Sequence, residues 1–294
     1  MRGVQVIESP AKSVLNAVKG MPFAWSINPY RGCYHQCVFC YARRSHSYLD
    51  EDGVANWGSR IYAKVNAAAV LRAELRKPSW KRELVSIGTI TDPYQPLEGR
   101  YRLMRGILEA LRDFETPAGI ITRSPLVIRD IDLLADLARA AGVSVSISIA
   151  TMDPALAREL EPTVAPPFKR IEAVRRLAAA GIPVNVALAP ILPEITDSAE
   201  NIEAVVQAAR EAGARKIWNN ALYLHEITRD AFFGYVKSRR PELLANYANW
   251  YKGKYAPKAI HDRIDARVSA ALRRAPLLHR EFITAQPKRQ LSLL

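Results

Sequence analysis

Ala141-Gly142-Val143-Ser144-Val145-Ser146-Ile147-Ser148-Ile149 carries the key to the fold. An apolar-periodic helix runs into Ala141, Gly142 stops it, and a β-branched strand follows. Gly is favoured just past a helix end because it adopts the left-handed conformation cheaply. The pattern returns at Ala180-Gly181 before Ile182-Pro-Val-Asn-Val-Ala-Leu188, and at Ala212-Gly213 before Lys216-Ile-Trp218. Gly142 to Gly181 is 39 residues and Gly181 to Gly213 is 32, the length of a strand–helix unit, so a parallel sheet is predicted.

Upstream, Leu84–Ile90 and Gly119–Thr122 read as two more strands. Between them Leu103, Ile107, Leu108, Leu111 and Phe114 form an apolar stripe at helical spacing. Phe23–Ile27 is the first strand. Six strands alternating with helices predict an α/β fold and resemble a partial (β/α)6 barrel, whose sites gather at the carboxyl ends of the strands. Residues 1–235 are assigned to the barrel and 236–280 to a helical extension over its open side, with Pro241 opening one helix. Residues 281–294 are read as a flexible basic tail.

The whole chain is 294 residues, with 42 Lys and Arg against 29 Asp and Glu, a formal net charge of +13. An apolar fraction of 49% with 24% charged residues excludes a disordered chain, a collagen and a disulfide scaffold. No run approaches the ~18–20 apolar residues of a membrane span. The N-terminus has no apolar signal region, so a cytoplasmic location and no membrane partner are expected. The basic excess favours polyanionic partners.

All three cysteines fall within eight residues, Cys33-Tyr-His-Gln-Cys37-Val-Phe-Cys40. An odd count in a reducing compartment argues against disulfides and for metal ligation. Zinc would take His35 or His46 as its fourth ligand. The spacing C-x3-C-x2-C suits instead three irons of one [4Fe–4S] cube, with the fourth iron open. Phe39, just before the last cysteine, strengthens that choice.

This motif resembles the signature of the radical S-adenosylmethionine (SAM) superfamily. Asn28-Pro-Tyr-Arg-Gly-Cys33, Thr91-Asp-Pro-Tyr-Gln-Pro-Leu-Glu98 and Glu161-Pro162 with Arg170 resemble its spore photoproduct lyase-like, DNA repair photolyase-related branch. The resemblance covers roughly residues 10–235 and implies a [4Fe–4S] cluster on Cys33, Cys37 and Cys40. It also implies SAM chelated to the open iron, cleaved on reduction to an adenosyl radical that abstracts hydrogen from the substrate. By position Thr91 and Asp92 match the segment that receives the SAM amino group, and Ala189-Pro190 the segment near adenine. Phe39 lies in the cluster loop that helps place SAM.

Arg123, after the third strand, suits a bidentate pair with the SAM carboxylate. Ser148 belongs to a row of alternating serines that either faces the barrel and the SAM ribose or eases helix packing. Arg170 either reaches the carboxylate or pairs with Glu161. Spore photoproduct lyases commonly carry a hydrogen-returning cysteine near the end of the second strand. Here Ile90 stands at about that place, and Tyr41 or Tyr94 is the candidate donor.

Basic residues recur in bursts interleaved with aromatics: Arg76-Lys77 and Lys81-Arg82 near Trp80, Arg100, Arg102 and Arg105 near Tyr101, Lys237 with Arg239-Arg240, and Lys252, Lys254 and Lys258 near Trp250, Tyr251 and Tyr255. Phosphate neutralisation with stacking is what a nucleic-acid surface needs. The expected function is therefore hydrogen abstraction from a nucleic-acid base, DNA before RNA, with repair of a thymine photoproduct as the specific form and carbon–carbon lyase chemistry. Alternatives are radical SAM modification of RNA or protein, and a non-catalytic metal-bearing DNA-binding module. Expected partners include an electron donor such as flavodoxin or ferredoxin. Gln290-Leu291-Ser292-Leu293-Leu294 also resembles the peptide by which bacterial repair proteins dock on the sliding clamp.

Overall fold

The computed structural model describes residues 3–49, 52 and 56–285. The strands are β1 (Gln5–Glu8), β2 (Asn16–Ala17), β3 (Trp25–Ile27), β4 (Tyr30–Arg31), β5 (Arg60–Ala63), β6 (Val85–Ile87), β7 (Ala118–Thr122), β8 (Val143–Ser148), β9 (Val184–Ile191) and β10 (Lys216–Ala221). The helices are α1 (Ala67–Leu75), α2 (Glu98–Tyr101), α3 (Leu103–Asp113), α4 (Ile131–Ala140), α5 (Pro154–Leu160), α6 (Pro167–Ala179), α7 (Ala199–Glu211), α8 (Glu226–Arg239), α9 (Leu244–Trp250) and α10 (Lys258–Arg274).

Each predicted barrel strand is present. The main sheet runs β10-β9-β8-β7-β6-β3-β2; β3 and β6 to β10 are parallel in chain order, and β2 adds an antiparallel edge to β3. Edges β10 and β2 do not pair, so the barrel is partial and open on one side. Gly142, Gly181 and Gly213 all have φ between +73° and +95°, the left-handed stop read from the sequence.

The strands bury their apolar rows against the helices. Val143, Val145 and Ile147 of β8 and Val184, Val186 and Leu188 of β9 are buried in one core with Leu134 and Leu137 of α4, Val174 and Leu177 of α6, and Val205 and Val206 of α7. Helix α3 buries Leu103, Ile107, Leu108 and Leu111 of the expected stripe together with Met104, while Phe114 follows the helix and is partly buried. Burying one such aliphatic side chain is worth about 1.5–3 kcal/mol, so this layer holds the barrel.

Three departures from expectation concern the periphery. A second sheet, β1-β5-β4, forms beside the barrel and carries the chain from the N-terminus to the cysteine loop. The boundary expected at residue 235 falls inside α8, which is continuous from Glu226, and Pro241 opens a short 3-10 turn instead of a helix. Helix α10 packs on α7 and β10 and supplies the sixth outer helix, while α8 packs on the 3-10 turn Tyr41–Leu49 that follows Cys40.

Part of the expected tail is fastened. The Ile283 N–H donates to Gly181 O at 2.7 Å, and Phe282 and Ile283 pack on the main core. The chain thus crosses the amino-terminal end of the barrel, the pole opposite the cysteine loop. Residues 290–294, with the clamp-like peptide, lie outside the described residues. Among the described residues no helix is long and apolar enough to cross a membrane.

Candidate active site

The cysteine loop leaves the carboxyl end of β3 and is fastened on two sides. Gly32, with φ +80°, lets the chain pass Arg60 O, which a Cβ would meet at 2.4 Å. On one side Thr91 Oγ1 donates to Gly32 O at 2.7 Å, and Tyr34 N donates to Gln95 Oε1 at 2.8 Å. On the other, Val38 N donates to Leu160 O at 3.0 Å and Thr163 Oγ1 to Tyr34 O at 2.7 Å. The loop is therefore held by the segments after β6 and after α5.

Cys33 and Cys37 are buried, and Cys40 packs against the clusters of both. All three are free thiols. Burial pushes each thiol pKa up, and for Cys33 and Cys37 the neighbouring thiolates push it further. Three thiols that resist ionisation together need a cationic centre to draw off their protons, and the donor set fits an iron–sulfur cluster. The two histidines weighed as a fourth zinc ligand are turned to other groups. His35 lies 3.2 Å from Asp92, and His46 contacts Arg60 O and the edge of Trp57.

Arg123 stands beside the loop. Its guanidinium lies 5.5 Å from the centre of the Phe39 ring, its Nε donates to Glu161 Oε1 at 2.8 Å, and its Nη2 to Ala189 O at 3.3 Å. Burial opposes its charge, but Cys37, Glu161 and Cys40 outweigh that and hold it protonated. Glu161 is shared: its Oε2 accepts from Arg170, whose Nη1 donates to Ser148 O at 2.9 Å and whose Nε donates to Ala165 O at 2.8 Å. Burial pushes the Glu161 carboxyl up, yet Arg170 and Arg123 bring it below its ordinary value. Arg170, 1% exposed, pairs with Glu161, and the Arg123 guanidinium lies between Glu161 and the Phe39 ring of the loop.

Asp92 is engaged differently from the expectation. Its Oδ1 accepts from Tyr94 N and Thr122 Oγ1, and its Oδ2 accepts from Arg123 N at 2.7 Å and faces His35. Thr91 is occupied by Gly32 and Gln95. Both residues brace the loop, and the Asp92 carboxylate accepts three hydrogen bonds from within the protein.

The two tyrosines separate. Tyr41, 47% exposed, donates its hydroxyl to Thr89 O, at the end of β6. Tyr94 is fully buried, with Asp130, Glu98 and Arg129 as the charged groups around its hydroxyl. The row Ser144, Ser146 and Ser148 faces the barrel interior, since Val143, Val145 and Ile147 take the helix side.

One residue had no sequence signal beyond proximity to the motif. Arg43, three residues after Cys40, is buried and donates to Cys37 O at 3.2 Å. The basic bursts do not converge. Trp80 bonds Thr116 and packs on Trp25 at the amino-terminal pole, and Arg82, Arg105, Arg240 and Lys258 are tied to Glu115, to Asp130 and Asp132, to Glu159 and to Asp262.

Comparison with known proteins gives the same reading. The profile of the radical SAM superfamily matches residues 27–204. An uncharacterized protein of Mycobacterium tuberculosis is 40% identical over 271 residues, 91% of this chain and 80% of its own. One of Methanocaldococcus jannaschii is 27% identical over 242 residues, covering 81% and 85%. Among solved structures, spore photoproduct lyase with bound AdoMet and dinucleoside spore photoproduct superposes with a TM-score of 0.67 at 13% identity, covering 92% of this chain and 79% of that one. Streptococcus suis SuiB bound to S-adenosylmethionine gives 0.52 at 17% identity, covering 89% and 50%. The buried three-cysteine loop at the mouth of a partial barrel therefore belongs to a family that works with a [4Fe–4S] cluster and SAM: this chain is a member of the radical SAM superfamily.

Proposed function

We propose that the protein abstracts a hydrogen atom from a nucleic-acid base, with a thymine photoproduct in DNA as the reference substrate and carbon–carbon cleavage as the reaction. Cys33, Cys37 and Cys40 hold the cluster in this reading, and the cluster with SAM supplies the hydrogen-abstracting radical. The observation that carries it is the pairing of the cysteine loop with Tyr41, whose hydroxyl reaches the end of β6 next to that loop. The structural likeness to spore photoproduct lyase and the net charge of +13 support the nucleic-acid part.

Arg123 is the residue for the SAM carboxylate. It remains charged, and Phe39 and Glu161 fix its plane. Ser148, on the interior face one position after the residue paired with Thr122, lines the same level of the barrel. Arg170 and Asp92 act through other groups: Arg170 fixes Glu161, and Asp92 fixes His35 and the Arg123 backbone.

Abstraction takes one hydrogen atom from the substrate, and the Tyr41 O–H returns one. The phenoxyl radical then left on Tyr41 is refilled by an electron from flavodoxin or ferredoxin and a proton from water. Mass spectrometry of SAM reactions in deuterated water tests this step. One deuterium in the restored base is expected, and none would remove Tyr41 from the pathway. A peptide substrate is the rival suggested by SuiB, one structure of which is bound to its precursor peptide SuiA, and the same assay with peptide in place of DNA separates the two.

A further inference from the structure

Register places side chains in rows across the sheet. Ile121, Ser146, Asn185 and Lys216 form one row, and Ser148, Ala187 and Trp218 the next toward the mouth. Thr122 pairs with Ile147, so Arg123 continues level with Ser148. These rows face the barrel interior, because the alternate residues Val145, Ile147, Val184 and Val186 are buried against the helices. From Arg123 to Trp218 the second row spans three strand spacings, about 14 Å along the sheet. Between them stand only a serine and an alanine.

Trp218 is 38% exposed, yet its indole is held: Nε1 donates to Ser146 Oγ at 3.3 Å. Asn185 Nδ2 reaches the same oxygen at 3.4 Å. The other end of that amide, Asn185 Oδ1, is buried and has no partner. A buried amide oxygen without a donor has lost its water and gained nothing in return, and such atoms need a reason. Beyond the end of β10, the Tyr223 and Tyr255 rings lie 5.1 Å apart, and Tyr255 with Lys252 and Lys254 is exposed on the rim.

We propose that Trp218 and Asn185 form a nucleobase subsite on the open side of the barrel. The indole face stacks on one base, Asn185 Oδ1 accepts an N–H from that base's edge, and Lys252 and Lys254 take the flanking phosphates. The proposal rests on the nucleic-acid reading above and names the residues that would hold a base drawn out of its strand. Stacking tolerates any base, whereas an unpaired acceptor selects those presenting an N–H. Chemistry on a base in a duplex requires such a pocket, because the base must leave the stack.

Fluorescence anisotropy of reconstituted protein with SAM tests it, using labelled oligothymidylate and an abasic strand of equal length. The wild type is expected to bind oligothymidylate about tenfold more tightly than the abasic strand. Trp218→Ala should abolish that preference, Trp218→Phe should keep most of it, and Asn185→Ala should reduce it severalfold. Lys254→Ala should weaken both strands alike. If Trp218→Ala and Asn185→Ala discriminate as the wild type does, the subsite is wrong while the nucleic-acid reading stands. Equal binding of both strands by the wild type also overturns it. If the wild type binds neither strand but binds an aromatic peptide, both readings fall.

Discussion

The two halves of the barrel mouth differ in how their polar groups are used. On the side of β3 and β6 to β8, the two carboxylates that brace the cysteine loop have several partners each within the protein. Asp92 receives three hydrogen bonds and faces His35, and Glu161 lies between two arginines. On the side of β9 and β10, a buried amide oxygen lacks a donor and an indole stands exposed. A half that must hold a metal cluster and a bound cofactor in one geometry gains from buried carboxylates held by several partners at once, because such networks fix a position. A half that meets a substrate keeps its bonding capacity free. The difference separates a braced half from a receiving half.

The largest way to break this division is at the cluster. Cys37→Ala should lower bound iron from about four per chain to near background, with complete loss of deoxyadenosine formation. Retained iron and cleavage would remove Cys37 from the ligand set. Next comes the bracing network. Arg170→Leu leaves Glu161 buried with Arg123 alone, and losing one partner of a buried pair costs about 3–5 kcal/mol. Denaturant unfolding of the apoprotein should register that loss. An unchanged midpoint would make the network dispensable.

The Glu161 carboxyl adds a pH signature of the same network. Its pKa in the folded protein is below the ordinary value of about 4.3, so its stabilising share is complete above that pH and lost as pH falls through the folded value. Acid titration of Glu161→Gln apoprotein should therefore lose less stability below about pH 4 than the wild type. A steeper loss in the variant would contradict the sign. A finer comparison sets the two tyrosines against each other. Tyr41→Phe should lower the ratio of restored base to deoxyadenosine severalfold, whereas Tyr94→Phe, with its hydroxyl among Asp130, Glu98 and Arg129, should leave that ratio alone. Equal effects would erase the distinction.

The barrel was legible because its signals are local and repeated. The Ala-Gly stops before β8, β9 and β10 and the stripe of α3 are each contained in a few consecutive residues. The cysteine loop was legible for the same reason. What was hidden depends on contacts between distant segments. The interior orientation of the serine row follows from which neighbours cover β8, and periodicity alone allows either face. The bonds from Thr122 and the Arg123 backbone to Asp92 were hidden in the same way, because their donors lie 30 and 31 residues further along the chain. The sheet β1-β5-β4 escaped notice because its strands are two to four residues long and pair across 55 residues for β1 with β5 and 31 to 33 for β4 with β5. The placement of the basic bursts was hidden as well: the fold distributes them over both poles and ties several to carboxylates.

The central claim is that the braced half makes a radical and the receiving half delivers it to a nucleic-acid base. The most direct test measures deoxyadenosine from anaerobically reconstituted, reduced protein with SAM, with and without ultraviolet-irradiated DNA, and assays the digested DNA for restored thymine. The account predicts that irradiated DNA stimulates deoxyadenosine formation and that thymine is recovered. Cleavage of SAM that is indifferent to DNA, irradiated or not, would contradict it.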